Sequence, residues 1–321
     1  MQLLRLDYMK KLLIIFLCAV FLLCGCANED TTVAADNEKL NIIATIFPAY
    51  DFAREIGGEQ INLKMLIPPG SESHTYEPSP QDIIDIENCD IFIYAGGNGD
   101  KWVETIIEAV DTDTAFISLM EIVTPLEETH HEDGHSTHHH DEDDTEEYDE
   151  HVWTSPLNAD IICNKICQVI CSADTDNEEY YTNNYISYSQ KLAKLDDTAR
   201  SIVNNAKRNK IIFADRFPIR YFTEEYGIEY QGAFPGCATE TEPSPKTLIS
   251  LIDIVRTGKI PVVFYRELSD KKVAQIVCED TDARMLQFHS CHSITKDEYS
   301  AGVTYIQLME QNLANLKEAL N

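Results

Sequence analysis

From Leu40 onward, short apolar runs alternate along the chain with segments in which apolar residues recur at helical spacing. The runs typical of buried strands are LNIIATIF, INLKMLI, CDIFIYA and TAFISL in the first half, and KIIFA, IEYQGAF, IPVVFY and ARMLQF in the second. Helices are predicted between and after them, over residues 49–56, 80–88, 101–110, 218–226, 245–257, 270–279 and 297–320. Strands that alternate with helices indicate βαβ units, so the pattern predicts an α/β fold with mostly parallel sheets.

One amphipathic stretch, residues 176–207, is much longer than the other predicted helices. At 1.5 Å per residue it would run roughly 45 Å, which is more than a single α/β unit needs. We therefore predict two Rossmann-like lobes bridged by this helix, an N-terminal lobe over 40–175 and a C-terminal lobe over 208–321. A chain of 321 residues is long enough for two domains of ordinary size.

The N-terminus has the pattern of a secretory signal. A basic pair precedes the apolar run LLIIFLCAVFLLC, which is too short to favour a membrane-spanning helix. The sequence LCGC that follows resembles the lipobox of bacterial lipoproteins, and this implies cleavage before Cys26 and a lipid on its sulfur. The alternative is an ordinary cleaved signal with a chance cysteine. We predict a signal over 1–25, a flexible tether over 26–39, and a body lipid-anchored to the outer face of the cytoplasmic membrane.

Charge and cysteine content narrow the classes of function. A formal net charge of −30 argues against nucleic acid, or an anionic membrane surface, as a partner. The cysteines after Cys26 are odd in number and unclustered, which is not the pattern of a disulfide framework. Cys163, Cys167 and Cys171 recur every four residues, so they share one face of a predicted helix. That face is either a buried apolar stripe or a set of thiols for a soft metal.

The composition changes over residues 126–150, which contain no lysine or arginine and are rich in His, Asp and Glu. The stretch has no apolar periodicity, so we predict a mobile loop within the N-terminal lobe. Several imidazoles on an acidic chain can capture Zn²⁺ with low affinity, and a solubilising acidic insert is the alternative. The candidate accessory metal ligands are His130, His131, His135, His138, His139 and His140.

Four other polar residues lie where loops should leave the strands. His74 follows the second strand, within a loop stiffened by flanking prolines. Asp215 and His289 directly follow KIIFA and ARMLQF, and His151 ends the acidic stretch. Ligands of open α/β sheets bind beyond the carboxyl ends of the strands. Three imidazoles and one carboxylate form an N₃O set that suits tetrahedral Zn²⁺.

Two histidine motifs identify a family. PPGSESHTYEPSPQDI, which holds His74, and DEHVWTSPLNA, which holds His151, are similar to the first two ligand motifs of the metal-binding lipoproteins of zinc and manganese ABC importers. ETEPSPKTLISLI and VVFYRELSDKKVAQIV resemble the C-terminal half of the same family, so the resemblance covers residues 40–320. It implies two α/β lobes joined by one long helix, with a metal ion bound in the cleft between the lobes.

The chain departs from the family pattern at the third and fourth ligands. The family's third ligand is a histidine or a carboxylate, and here FADRFPIRYFTEEYG offers Asp215, with a structural ion pair to Arg216 as the alternative. The fourth is usually an aspartate, and here His289 takes the position after the last strand. Cys291 and His292 are the alternatives for the fourth ligand, and His289 would then be a hydrogen-bonded residue of the cleft.

The resemblance implies a monomeric extracytoplasmic receptor, without catalysis, that captures Zn²⁺ and delivers it to the permease of an ABC importer. A Mn²⁺ or iron receptor on the same fold is the nearest alternative, and it would need a second carboxylate in the cleft. A zinc hydrolase would need an open coordination position and a general base, and no predicted helix of the chain carries an HExxH motif. A surface adhesin with structural zinc is a third alternative.

Overall fold

The computed structural model describes residues 39–109, 112–127, 148–234 and 243–321, with no account of the side chain at position 74. The predicted signal, the predicted lipidation site Cys26, the predicted tether and the histidines of the acidic stretch lie outside the described residues. The proposed domain boundaries stay predictions.

The first sheet is fully parallel. Its strands are β1 (Leu40–Ala44), β2 (Ile61–Met65), β3 (Ile91–Tyr94) and β4 (Ala115–Ser118). Helices α1 (Phe47–Gly57), α2 (Pro80–Glu87) and α3 (Lys101–Ala109) connect them, and α4 (Pro156–Ala173) follows. The strand order is β2-β1-β3-β4. Every residue of β3 is buried, as expected of a central parallel strand that is covered on both faces.

The second sheet repeats this arrangement. Its strands are β5 (Lys210–Arg216), β6 (Glu229–Phe234), β7 (Val262–Tyr265) and β8 (Arg284–Gln287). Helices α6 (Arg220–Tyr226), α7 (Pro245–Gly258) and α8 (Lys272–Glu279) connect them. The order is β6-β5-β7-β8, again parallel throughout. In both sheets the chain changes direction beside the first strand, and such a switch point is where α/β proteins bind ligands.

Helix α5 (Glu178–Asn204) runs between the two lobes and contacts helices of both. Its 27 residues span about 40 Å. Near its start Asn184 donates to the carbonyl of Ile56 in α1, and near its end Asp196 accepts from the hydroxyl of Tyr226 in α6. The predicted fold class, two parallel α/β lobes bridged by one long helix, is confirmed.

Local chemistry fixes where several helices begin. At α2 the side chain of Ser79 accepts from the backbone N of Asp82, and the Asp82 carboxylate accepts from the backbone N of Ser79. This reciprocal capping satisfies two of the donors that a helix start leaves without partners. Pro80 follows at the first helical position, where its missing N–H costs nothing. The loop that carries His74 therefore ends at a well-defined point.

The structure differs from the predicted elements at three places. The ends of the predicted mobile loop 126–150 are ordered, because Glu127 pairs with Tyr148, and Asp149 and Glu150 are buried. The last predicted helix is two helices, α9 (Lys296–Ser300) and α10 (Tyr305–Ala319). Gly302 has φ 68°, and Thr304 caps the second helix with Gln307, so the chain turns there and starts again. Strand β5 also runs further than KIIFA, so that Asp215 lies within the strand.

The cysteine face of α4 belongs to the hydrophobic core. Cys163 and Cys167 are buried, and the Cys167 and Cys171 sulfurs are 3.8 Å apart. Burial raises the pKa of the Cys167 thiol to about 12, which favours the neutral apolar form. Within the described residues, no helix is both long enough and apolar enough to span a membrane.

Candidate metal centre

His151 lies at the start of a tightly folded segment. It is the cap residue of the short 3-10 helix Val152–Thr154, which leads into α4, and it is 2% exposed. Asp149 Oδ1 accepts from the backbone N of His151 at 2.8 Å and lies 2.9 Å from its Nδ1. A carboxylate on Nδ1 holds the ring in the tautomer with an unprotonated Nε2, which is the form that binds metals.

Trp153 ties this segment to the second lobe. Its Nε1 donates to the carbonyl of Ser290 at 2.9 Å, and its own carbonyl accepts from the hydroxyl of Tyr305 at 2.7 Å. All three residues are buried. The side chain of Trp153 is therefore a packing and bridging group beside the histidines, as its apolar ring and single donor would suggest.

His292 reaches the same place from the loop after β8. The residue before it, Cys291, is buried and has φ 61°, a left-handed conformation that is uncommon for a residue other than glycine. The backbone N of Cys291 donates to Nδ1 of His289 at 2.9 Å, which helps to hold this turn. The His292 ring packs edge-on against the rings of Trp153 and His151, each with centroids 5.1 Å away.

The two imidazoles are spaced as ligands of one metal ion would be. His292 Nδ1 and His151 Nε2 lie 3.3 Å apart. Two imidazole nitrogens bound to one tetrahedral Zn²⁺, each at about 2.0–2.1 Å, would lie about 3.3–3.4 Å apart. Glu150, His151 and His292 offer ligand atoms that all lie within 4.8 Å of one another. In the described part of the chain this is the one such group of three or more His, Cys, Asp or Glu residues.

Glu150 supplies a carboxylate that is 2% exposed. Burial raises its pKa to about 7, with His151 as the largest opposing influence. Its Oε2 accepts from the backbone N of Gly99 at 3.2 Å. A carboxylate whose charge is poorly solvated gains from a neighbouring cation, so the electrostatics of the site favour a positive ion.

The loop that carries His74 closes one side of the group. His74 lies in the short 3-10 helix Ser73–Thr75, which follows β2. Its neighbour Ser73 is buried, and the Ser73 hydroxyl lies 2.7 Å from Nε2 of His292. A cavity of about 10 Å³, lined in part by Glu72, Ser73, His151 and His292, adjoins this contact. It has room for about one water, so a bound ion must take most of its ligands from the protein.

Asp215 lies in a network of ion pairs. Its Oδ1 accepts from the backbone N of Arg216 at 2.8 Å and lies 3.3 Å from Nε of Arg266. Glu72 Oε1 accepts from Arg266 at 2.9 Å and from Arg216 at 3.2 Å. Glu72 belongs to the His74 loop, so this network joins that loop to β5 and to the loop after β7. The predicted alternative, an ion pair between Asp215 and the side chain of Arg216, is not formed: Arg266 pairs with Asp215, and the side chain of Arg216 pairs with Glu72.

His289 is buried among carboxylates. Its Nδ1 is 3.7 Å from Glu267 and its Nε2 is 3.9 Å from Glu298. Burial alone would lower the pKa of His289, but the two carboxylates outweigh burial and raise it above the ordinary value. The amide of Asn312 exchanges hydrogen bonds with the His289 backbone. The structure thus brings His151 together with His292, which was the alternative, and places His289 and Asp215 in ion-pair networks.

A groove of about 1230 Å³ lies elsewhere, between α5 and α10, and among the described residues no histidine or cysteine lines it. Its size exceeds that of the space beside His151, but it offers none of the usual soft or borderline metal ligands. The buried group around His151 is therefore the candidate metal centre.

Comparisons with known proteins bear on this centre. The family model described as zinc-uptake complex component A, periplasmic, matches residues 42–319. The high-affinity zinc uptake system protein ZnuA of Bacillus subtilis is 32% identical over 305 residues, which are 94% of this chain and 95% of that protein. The manganese ABC transporter substrate-binding lipoprotein PsaA of Streptococcus anginosus is 28% identical over 325 residues, 98% of this chain and 100% of that protein.

The fold comparison agrees with the sequence comparison. The crystal structure of the Zn(II)-bound ZnuA-like domain of AdcA from Streptococcus pneumoniae matches with a TM-score of 0.73 at 26% identity. The match covers 88% of this chain and 99% of that domain.

Proposed function

Because the chain belongs to the family of periplasmic zinc-uptake complex component A proteins, we propose that it captures Zn²⁺ outside the cytoplasm for the permease of an ABC importer. This family consists of solute-binding receptors and is not a known class of enzyme. The predicted lipid on Cys26 would hold the receptor at the outer face of the cytoplasmic membrane, as a monomer. The relative named a lipoprotein supports this anchoring.

The spacing of the two imidazoles carries the proposal. A distance of 3.3 Å between His151 Nε2 and His292 Nδ1 is the distance expected when both nitrogens bind one tetrahedral Zn²⁺. His74, from the adjoining loop, would be the third imidazole, and Glu150 would be the carboxylate. This set keeps the predicted N₃O composition, but it takes His292 and Glu150 where the sequence pattern favoured His289 and Asp215.

The proposed ligand atoms, imidazole nitrogens and one carboxylate oxygen, favour Zn²⁺ over Mn²⁺. Imidazole-rich ligation suits Zn²⁺ better than Mn²⁺, which prefers more oxygen ligands. Burial of all three described donors removes competing water, and the charge of Glu150 offsets part of the charge of the ion. No step of this function makes or breaks a covalent bond, because the receptor only selects, holds and releases its cargo through metal–ligand bonds.

A competition titration with a chromophoric zinc chelator tests the proposal. The purified protein is compared with a variant that carries His151→Ala and His292→Ala together. We expect one tight site in the native chain and its loss in the double variant. Tight binding that persists in the double variant would move the metal centre elsewhere in the chain.

The same titration with Mn²⁺ examines the alternative cargo. The PsaA relative is named as a manganese protein, and Glu150 is an oxygen donor of the kind that Mn²⁺ accepts. We expect Zn²⁺ to displace Mn²⁺ from the native protein at equal concentrations. Displacement in the opposite direction would assign the receptor to manganese.

A further inference from the structure

The serine next to His74 occupies a position from which it can set the chemical state of another histidine. Ser73 Oγ lies 2.7 Å from His292 Nε2, and both side chains are buried. We propose that Ser73 is a positioning residue of the metal centre, which fixes the His292 ring with its proton on Nε2 and with Nδ1 toward the metal. This inference rests on the proposed function, since it concerns how that site is prepared for zinc.

The two described imidazoles present different nitrogens to each other. On His151, Nδ1 is held by the carboxylate of Asp149, so Nε2 is the atom that faces His292. On His292 the arrangement is reversed, because Nε2 is at Ser73 and Nδ1 faces His151. A neutral imidazole has one protonated and one unprotonated nitrogen, so a partner on one nitrogen decides which nitrogen can bind a metal.

Without a partner on Nε2, two changes would disable His292. The ring proton could move to Nδ1, which would then need to lose it before a metal could bind. The ring could also turn over about its χ2 bond, which would put a carbon where Nδ1 now lies. The ring of Trp153 contacts His292 without distinguishing its two nitrogens. His151 Nε2, 3.3 Å from His292 Nδ1, would draw the ring proton to Nδ1 in the metal-free protein. A hydrogen bond that His292 Nε2–H donates to the Ser73 hydroxyl opposes this and keeps the proton on Nε2.

The position of Ser73 in the chain gives this contact a second consequence. Ser73 belongs to the loop after β2 in the first lobe, whereas His292 belongs to the loop after β8 in the second. One short helix, Ser73–Thr75, thus carries both His74 and the partner of His292. Movement of that loop would therefore withdraw His74 from the metal and, in the same step, remove the Ser73 hydroxyl from His292. A displacement of the loop should thus lower the zinc affinity more than the loss of a single ligand would.

A matched control is available at the same boundary. Ser293 Oγ donates to the carbonyl of Ser71 at 3.2 Å, and so it also links the two loops, without touching an imidazole. Zinc affinity is measured by chelator competition for Ser73→Ala, Ser73→Thr and Ser293→Ala in the full chain. Loss of an outer-shell partner typically weakens metal binding by about 10–100-fold, which we expect for Ser73→Ala. Ser73→Thr, which restores the hydroxyl, and Ser293→Ala should stay within about 3-fold of the native protein.

A second readout does not depend on zinc. Long-range ¹H–¹⁵N correlation spectra of the metal-free protein at pH 8 report which nitrogen of each ring carries the proton. The His292 signals are those absent from His292→Ala. We expect the Nε2-protonated form in the native protein and a shift toward the Nδ1-protonated form in Ser73→Ala. A serine that only fastened the two loops would leave this equilibrium unchanged.

The outcomes separate the two proposals. If His292→Ala abolishes tight binding while Ser73→Ala binds zinc like the native protein and shows the native tautomer, the role of Ser73 is overturned and the receptor stands. An equal loss in Ser73→Ala and Ser293→Ala, with the native tautomer in both, would also overturn it, in favour of a fastening role. If the native chain shows no tight zinc site, the proposed function itself fails. Circular dichroism of each variant confirms that it is folded.

Discussion

Two buried histidines only three residues apart have opposite surroundings. His292 faces a second imidazole, an indole ring and a serine hydroxyl, and it has one carboxylate, Glu150, in its group. His289 lies between Glu267 and Glu298, with its backbone held by Asn312. The first arrangement brings two imidazole nitrogens and a carboxylate close together, as the ligands of one cation would lie. The second places an imidazole between two carboxylates, whose negative charges raise its pKa above the ordinary value.

This contrast shows that the chemistry of the partners, rather than burial, distinguishes a proposed ligand from an ion-pair residue. Both side chains are more than nine-tenths buried, so exposure does not separate them. The partners do, since a carboxylate stabilises the protonated ring, whereas a metal requires the unprotonated one. This difference between His292 and His289 can be tested by substitution of each residue.

The largest effect is expected on zinc affinity. His292→Ala removes one of two nitrogens that are 3.3 Å apart, and a lost ligand should cost more than the roughly 10–100-fold of a lost outer-shell partner. His289→Ala should change the affinity by less than about 3-fold. Chelator competition on both variants checks this. If His289→Ala lowers the zinc affinity more than His292→Ala does, His289 is the ligand and His292 is not.

For the stability of the metal-free protein, His289→Ala is expected to have the larger effect and His292→Ala the smaller. His289→Ala leaves Glu267, which is 1% exposed, without its nearest positive partner. Breaking a buried pair in this way costs about 3 kcal/mol of the free energy of unfolding. Urea unfolding in the presence of a chelator measures it, with His289→Gln as the control that retains a donor. Equal stability of the native and alanine proteins would show that the His289 cluster is not an ion pair.

A smaller effect is expected on the acid side of the stability profile. The nearby imidazole of His289 is the main cause that lowers the pKa of Glu298 to about 2, from 4.5. Because the folded-state pKa is below the unfolded one, the carboxylate stabilises the fold above pH 4.5, and this contribution disappears as the pH falls through 2.

Glu298 is partly exposed, so its contribution should be about 1 kcal/mol at pH 6. Urea unfolding of the native protein and Glu298→Gln should therefore give curves that differ at pH 6 and converge in acid. A difference that grows toward low pH would contradict the sign of this argument.

The smallest effect is expected at Asp215. Its carboxylate is already engaged by Arg266 and by the backbone of Arg216, so Asp215→Asn should change zinc affinity by less than about 3-fold. A loss of 30-fold or more in the chelator titration would restore Asp215 as a ligand, and would mean that the Arg266 pair breaks when zinc binds.

The sequence pattern predicted the sheets well for a definite physical reason. Central parallel strands are covered on both faces, so β3 reads as the continuous apolar run IFIY and is easily recognised. The last helix was predicted as continuous because the apolar spacing persists across residues 301–304. The break depends on Gly302 in a left-handed conformation and on the cap at Thr304, and glycine and threonine also occur within uninterrupted helices.

The candidate site was predictable to a lesser degree. Position after a strand is visible in the sequence, and it pointed to the loop that contains His289 and His292, whereas the motif DEHVWTSPLNA pointed to His151. The choice between those two depends on the left-handed backbone of Cys291, which turns His292 toward His151. A non-glycine residue gives no signal of such a conformation. The roles of Asp149 and Ser73 were missed, although a carboxylate two residues before a ligand histidine could have suggested the first.

The pairing at the two ends of the acidic stretch has a consequence for how this chain can change. Glu127 and Tyr148 form an antiparallel bridge, and the backbone N of Asp149 donates to the carbonyl of Leu126 at 2.9 Å. These contacts lie outside residues 128–147 and hold Asp149, and through it His151, in place. Because these contacts join backbone atoms, the position of Asp149, and through it that of His151, does not depend on which side chains stand at positions 127 and 148.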